Sequence, residues 1–159
     1  ARTGRTDDRQ PGFTLVRARV SLAWRAVGML GIAALYIESM RSGQMSVSYT
    51  NAVTLAADMA DRIRANTQGR LSYVGDGIGN GTAGANSNCV NGAADCTPAQ
   101  MASDDLFWWY EDVKNLLPTG RSASVAVAPV PPVDQYTITV SWPERRQAAP
   151  VSYVLTFSP

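Results

Sequence analysis

The feature that most constrains the fold is a run of helix-compatible residues from Phe13 to about Asn66. The run opens with Gly-Phe-Thr-Leu at residues 12–15, contains no proline, and is interrupted by only three glycines, Gly28, Gly31 and Gly43. A helix of this length greatly exceeds the globular average of about 11–12 residues. It needs a partner or a membrane along much of its surface. The sequence therefore predicts one long N-terminal helix, 13–66, around which the rest of the chain is organised.

The first half of this helix, residues 13–37, is strongly apolar but carries three cations. Its longest uninterrupted apolar stretch runs from Ala26 to Ile37, which is short of the roughly 20 residues that cross a bilayer. Arg17 and Arg19 lie near the start, and Arg25 lies deeper, where a cation costs about 2.5–3.5 kcal/mol on insertion scales. Hydropathy alone therefore does not establish a transmembrane segment.

The second half, residues 38–66, is amphipathic. One apolar stripe repeats at alternating spacings of four and three residues, as on one face of a helix. Its members are Met45, Tyr49, Ala52, Ala56, Met59 and Ile63. We expect this stripe to pack against a sheet.

The charge is unevenly distributed. Residues 1–30 hold six arginines and two aspartates, giving +4, whereas the remaining 129 residues hold eight basic and eleven acidic side chains, giving −3. A basic start, an apolar run and an acidic body are typical of an inner-membrane protein with an exported body. A net charge of +1 argues against nucleic-acid binding. Residues 1–12 are expected to be a charged leader or a remnant of protein expression.

Residues 67–96 are rich in Gly, Asn and Ser and predict a loop. The run 75–82 resembles a phosphate loop but lacks the Gly-Lys-Ser/Thr ending, and Asp76 and Asn80 offer too few carboxylates for calcium. Cys89 and Cys96, with six residues between them, suggest a structural disulfide formed in an oxidising compartment. The alternative is two unrelated reduced thiols.

Without histidine, the chain offers little for a metal site, and we expect neither a cofactor nor enzymatic activity.

A second helix is predicted over residues 97–117. Thr97 is a suitable N-cap, and Gln100 completes a capping-box pattern. The acidic residues Asp104 and Asp105 are interpreted as part of a solvated face. Trp108 and Tyr110 are candidates for an exposed aromatic patch that contacts a partner. The apolar face of the helix is expected to comprise Leu106, Trp109, Val113, Leu116 and Leu117.

The C-terminal third predicts three β-strands, at about residues 122–128, 136–142 and 151–157, because apolar and polar side chains alternate there. Three antiparallel strands packed on the stripe of the long helix give an α+β fold. In this reading residues 67–159 form a globular head.

The order of these elements resembles the type IV pilin and pseudopilin superfamily. Three segments, 58–66 (Asp-Met-Ala-Asp-Arg-Ile-Arg-Ala-Asn), 96–102 (Cys-Thr-Pro-Ala-Gln-Met-Ala) and 153–157 (Tyr-Val-Leu-Thr-Phe), look more narrowly like the PilV-type minor pilins of Gram-negative bacteria. The resemblance covers about residues 12–159 and implies the type IV pilin fold.

The resemblance also implies a life cycle. A prepilin peptidase would cut between Gly12 and Phe13, after which the new amine is methylated. The helix would first be held in the inner membrane, at the assembly platform, with the head in the periplasm. It would then pack among other minor pilins and the major pilin in a cell-surface pilus. PilV-like proteins are minor subunits of a complex that primes assembly.

Three positions depart from the family pattern. The family has glutamate at the fifth mature residue, where this chain has Arg17. Arg19 and Arg25 likewise replace aliphatic residues, which weakens the membrane interaction expected of the helix.

Two further functions remain open. One is a minor pseudopilin of a type II secretion system. The other is an adhesive or ligand-binding module displayed at the pilus tip, with Trp108, Tyr110 and the 67–95 loop as its surface.

Overall fold

The computed structural model describes residues 13–75, 84–90, 92, 95–129, 131, 133–145 and 147–159. Within them, the elements are helix α1 (Phe13–Ala65), a short 3-10 helix (Arg70–Ser72), helix α2 (Pro98–Leu116) and strands β1 (Ser122–Ala128), β2 (Gln135–Trp142) and β3 (Val151–Phe157). The predicted α+β fold, with a long N-terminal helix, a second helix and a three-stranded antiparallel sheet, is confirmed.

The chain divides into two units between Gly43 and Gln44. In the first unit, every described side chain from Leu15 onward is exposed. The second unit contains the last part of α1 together with α2 and the sheet. The compact unit therefore begins at Gln44, whereas the sequence placed the start of the head at residue 67. The reason is that the end of α1 supplies side chains to the core of this unit.

The sheet has the strand order β1-β2-β3, with both pairs antiparallel. The registers align Val125 with Ile138 and Ile138 with Leu155. Alternate β2 side chains are buried, as expected for a sheet with one face in the core. On the other side of β1, Gly75 forms an isolated antiparallel bridge with Val125, with backbone N···O distances of 3.0 and 2.7 Å. This bridge attaches the start of the glycine-rich loop to the sheet.

The core of the second unit is built from α1, α2 and the inner face of the sheet. Its fully buried large side chains include Met59, Ile63, Tyr73, Trp109, Tyr110, Val113, Val125, Tyr136, Ile138, Val140 and Trp142. Burying this much apolar surface is the main favourable term in folding.

The stripe of α1 is buried over most of its length but not at its start. Ala52, Ala56, Met59 and Ile63 are completely buried in the core cluster. Met45, predicted to pack on the sheet, is instead 43% exposed because the core does not extend to its turn of the helix. Tyr49 is half exposed.

The ring of Tyr49 still contacts the sheet. It lies edge-on to Trp142 at 6.3 Å and to Tyr153 at 5.8 Å, measured between ring centroids. Such edge-to-face contacts contribute about 0.5–1.5 kcal/mol beyond area burial. Tyr49 therefore marks where α1 meets the edge of the sheet, one turn before the fully buried positions begin.

Helix α2 begins with the predicted capping box. The Thr97 side chain accepts a hydrogen bond from the Gln100 backbone N–H at 3.3 Å, and the Gln100 side chain accepts one from the Thr97 N–H at 2.9 Å. At the other end, Leu116 is half exposed and Leu117 is buried. The sequence placed both on the apolar face. The helix ends at Leu116, and the extended backbone of Leu117 redirects the chain.

Candidate functional site

The first unit presents a continuous apolar helix surface. Its large apolar side chains are all at least half exposed: Leu15, Val16, Val20, Leu22, Trp24, Val27, Met29, Leu30, Ile32, Leu35, Tyr36 and Ile37. An 18-residue window of this helix is long and apolar enough to cross a membrane by composition. Exposed apolar surface of this extent marks a site of protein or membrane interaction.

The same helix segment carries charge and glycine in unusual places. Arg17, Arg19 and Arg25 are exposed, and no carboxylate in the described part of the chain pairs with them. A Cβ built on Gly28 or Gly31 would meet nothing within 4 Å. Each glycine weakens a helix interior by about 1 kcal/mol relative to alanine. No contact with the described part of the chain accounts for this cost.

The second unit contains a polar network centred on Arg62, in the segment that carries the family resemblance. Arg62 Nε donates to Asp58 Oδ2 at 2.9 Å, and its Nη1 donates to Asp105 Oδ1 at 3.3 Å. The Asp58–Arg62 pair follows from a four-residue spacing on a helix. Asp105 lies on α2, so the second bond ties the two helices together. The Asp105 side chain is only 12% exposed, which makes this pair stronger than a surface ion pair.

Tyr73 extends the network beneath the end of α1. Its hydroxyl donates to Asp105 Oδ2 and accepts from Asn66 Nδ2 at 3.3 Å. Burial of the ring, together with the hydrogen bond to the Asp105 carboxylate, raises the pKa of Tyr73 well above its usual range. The hydroxyl is therefore a neutral donor that satisfies a buried carboxylate oxygen.

Asn66 closes the first helix and connects it to α2. Its Nδ2 donates to the Pro98 carbonyl at 2.7 Å, and its Oδ1 accepts from the Gly69 N–H at 3.0 Å. A Cβ on Gly69 would collide with the Pro98 carbonyl and the Asn66 amide. Only glycine fits at this turn. The network explains why Asp58, Arg62 and Asn66 occur together in one short segment.

The acidic residues at the start of α2 are not a solvated face, contrary to the prediction from the sequence. Asp104 is completely buried and Asp105 is 8% exposed. The Ser87 backbone N–H donates to Asp104 Oδ1 at 2.6 Å, and the Ala85 N–H donates to Ser103 Oγ at 2.8 Å. The loop that contains Cys89 therefore covers this face of α2 and supplies hydrogen-bond donors to it.

A shallow cavity of about 470 Å³ lies beside the network. Its walls combine Arg62, Asn66 and Asp105 with the apolar atoms of Ala65, Cys96, Pro98 and Met101. Both charged side chains are already paired with each other and with their neighbours. Across the described residues, no group of three or more His, Cys, Asp or Glu side chains is arranged to hold a metal ion.

The predicted aromatic patch reduces to one exposed ring. Trp108 is 41% exposed, but Tyr110 is completely buried, with its ring 5.1 Å from that of Trp109. The prediction that Tyr110 belongs to a partner surface is therefore wrong, because its position on α2 points into the core. Phe107 lies edge-on to Trp108 at 5.4 Å and is partly buried.

Of the remaining predicted site residues, Cys89 and Cys96 form a disulfide. It closes the loop immediately before the N-cap of α2. Gly12 lies outside the described residues, as do Asp76 and Asn80. Phe13 is the first residue of α1.

Comparison with models of known protein families finds a match over the middle of the chain. Residues 34–107 match the Tt1218-like family, described as Type IV pilin Tt1218. The match spans the end of the apolar segment, the Asp58–Asn66 segment, the disulfide loop and the first half of α2. No curated protein and no solved structure matches the chain. The matched segment and the confirmed fold together support the type IV pilin superfamily as the group to which this chain is similar.

Proposed function

We propose that the chain is a minor pilin of a type IV pilus, of the PilV type, and that it takes part in a complex of minor pilins that primes filament assembly. The observation that carries this proposal is the combination of an exposed apolar helix segment with an α+β unit in one pilin-like chain. Its mechanism is non-enzymatic: apolar helix packing drives assembly, and the surface of the second unit selects neighbours.

Two features support an exported unit and a membrane-associated start. A disulfide forms and persists in oxidising compartments such as the bacterial periplasm. The excess of arginine before and within the apolar segment favours retention of the N-terminus on the cytoplasmic side. In this account, a prepilin peptidase cuts between Gly12 and Phe13 of a Gram-negative precursor. The chain then leaves the inner membrane through the assembly platform and reaches the cell-surface pilus.

Capture by the tagged, full-length, oxidised chain in mild detergent tests the proposal. We expect it to co-purify with other minor pilins of the same cell, and we expect deletion of its gene to reduce the number of surface pili sharply. Co-purification with the pseudopilins of a type II secretion system, with normal piliation in the deletion strain, would identify the chain as a pseudopilin instead.

The adhesive alternative is tested by Trp108→Ala, because Trp108 is the exposed ring of the predicted patch. Val154→Ala serves as the matched control, since Val154 is an exposed apolar residue on β3. Normal piliation with loss of surface attachment in the Trp108 variant alone would favour a tip adhesin. Normal attachment in both variants is expected for an assembly subunit.

A further inference from the structure

A second, smaller cavity lies in the second unit, where the turn after α1 meets the start of β2. Its volume is about 220 Å³, below the roughly 300–1,000 Å³ of pockets that hold drug-sized molecules. Its walls include one cation, one anion and one buried tyrosine, which are Arg70, Asp134 and Tyr136. The proposed role in assembly uses none of these side chains. A cavity of this size suits a small polar ligand.

Arg70 brings a positive charge to the cavity from a fixed backbone. Its carbonyl accepts a hydrogen bond from the Tyr73 N–H at 3.1 Å, in the short 3-10 helix that follows Gly69. The side chain is not paired in the same way. Within the described part of the chain, its Nε is buried without a hydrogen-bond partner and its guanidinium forms no ion pair. A buried donor without an acceptor is unfavourable, so an acceptor from outside the chain would stabilise it.

Asp134 brings a negative charge to the same cavity, immediately before β2. Among the described ion pairs, none joins Asp134 to Arg70. Burial raises the pKa of Tyr136, the Asp134 carboxylate raises it further, and the Arg70 guanidinium lowers it. Both charges therefore lie close enough to act on one hydroxyl, whose ring stacks on Phe157 at 5.7 Å between centroids. A cation and an anion thus line one small cavity without neutralising each other.

The complement of this arrangement is a small molecule that carries both a carboxylate and an ammonium group. A guanidinium suits a carboxylate because its N–H donors form a planar fork, and a carboxylate such as Asp134 accepts hydrogen bonds from an ammonium group. A ligand with a carboxylate alone would satisfy Arg70 but would be repelled by Asp134. The other walls include Leu71, Val133 and Pro159, which suit a short aliphatic side chain.

We propose that this cavity binds a free aliphatic α-amino acid, with the ligand's carboxylate on Arg70 and its ammonium group on Asp134. The Tyr136 hydroxyl is neutral at physiological pH and can donate a further hydrogen bond to the carboxylate. The site is separate from the apolar segment of α1 on which assembly depends. The two proposals therefore hold or fail independently.

Calorimetric titration of the full-length chain in mild detergent tests the proposal with three ligands of similar shape. L-Valine carries both charges, isovalerate lacks the ammonium group, and isobutylamine lacks the carboxylate. We expect saturable binding of L-valine. The other two ligands should bind about tenfold more weakly or worse, because each lacks one of the charged hydrogen-bonding groups.

Two variants locate the binding. Arg70→Gln and Asp134→Asn should each weaken L-valine binding about tenfold. Arg145→Gln and Asp61→Asn are the matched controls, because both side chains are exposed and neither lines the cavity. Binding should be unchanged in the controls. If a variant fails to fold, the NMR resonance of the Arg70 Nε–H group in the wild-type protein gives a second readout. It should shift on addition of L-valine and not on addition of isobutylamine.

Contrary results would overturn specific parts of the proposal. Equal binding of L-valine and isovalerate would overturn the role of Asp134 and the choice of an amino acid. Binding that persists in both variants would place the ligand elsewhere on the protein. Absence of saturable binding by any of the three ligands up to about 10 mM would overturn the site itself. The proposed function would stand in each case, since capture of minor pilins and gene deletion test it separately.

Discussion

The indole Nε1 of Trp109 donates a hydrogen bond to the backbone carbonyl of Leu55 at 2.8 Å, across 54 residues of sequence. Trp109 is completely buried and Leu55 nearly so. The bond fixes α2 against the last part of α1 at the centre of the core. It also satisfies the polar atom of one of the two buried tryptophans, which is the condition under which tryptophan suits a core.

Replacing Trp109 by phenylalanine should destabilise the protein by about 2–4 kcal/mol. The change removes the bond to Leu55 and leaves a cavity in a closely packed interior. Chemical denaturation of the full-length chain in detergent would measure the loss. The matched control is Trp108→Phe, one residue earlier and 41% exposed, for which we expect a change below about 0.5 kcal/mol. Equal losses would show that α2 is rotated from the orientation described above.

Asp105→Asn should cost about 1–3 kcal/mol of folding stability. It removes the charge that pairs with Arg62 and weakens the acceptor of the Tyr73 hydroxyl, both in a partly desolvated environment. Asp61→Asn is the control because Asp61 pairs with Arg64 on the surface, where its side chain is 76% exposed. A double-mutant cycle with Tyr73→Phe would measure the coupling directly. Strictly additive losses would contradict the network.

The protein should lose stability at alkaline pH. The pKa of Tyr73 is raised above its usual value of about 10, chiefly by burial and secondarily by the hydrogen bond to Asp105. Above about pH 10 the folded state keeps a proton that the unfolded state releases. Stability is therefore full below this pH and falls as the pH rises through and beyond it.

Denaturation curves recorded at pH 8, 10 and 11 would show the trend. Tyr73→Phe should make the loss of stability at high pH smaller without abolishing it, since burial also raises the pKa of Tyr136. A wild-type stability that stayed constant to pH 11 would mean that the Tyr73 hydroxyl is accessible to solvent.

Reduction of Cys89–Cys96 should lower stability by about 2–3 kcal/mol in the chain-entropy account of a short loop. The effect should concentrate at the start of α2, because the loop also donates to Ser103 and Asp104. Hydrogen exchange with and without reductant would locate it. Exchange in β2, the central strand of the sheet, should remain slow below the global unfolding limit. Uniform acceleration throughout α2 and β2 would contradict a local role.

Much of the fold was predictable because it rests on local patterns. Strict alternation from Tyr136 to Trp142 specifies a half-buried strand, and the Thr97–Gln100 pair specifies the start of α2. The apolar stripe on α1 correctly predicted the buried positions from Ala52 to Ile63. It did not predict where along the helix the core begins. That point depends on the extent of the sheet, which leaves Met45 exposed.

The polar network was less predictable because its members are distant in sequence. Asp58 and Arg62 are four residues apart, a spacing that indicates a pair. Asp105 and Tyr73 join them only in three dimensions, and acidic residues on a helix are ordinarily solvated. In the structure, the loop that contains Cys89 covers Asp104, so this carboxylate is buried rather than solvated. For Tyr110, neighbouring aromatic residues obscured which ring points inward.

Site-specific photo-cross-linking from Leu30, in the exposed apolar segment of α1, tests the central claim most directly. The probe would be incorporated into the full-length chain in living cells, and adducts would be identified by mass spectrometry. The account predicts that the probe at Leu30 forms covalent adducts with other pilin-like subunits. The same probe placed at Val154, on β3, should form no adduct with the helices of those subunits. A membrane-inserted chain that gives no adduct with any pilin-like subunit would contradict it.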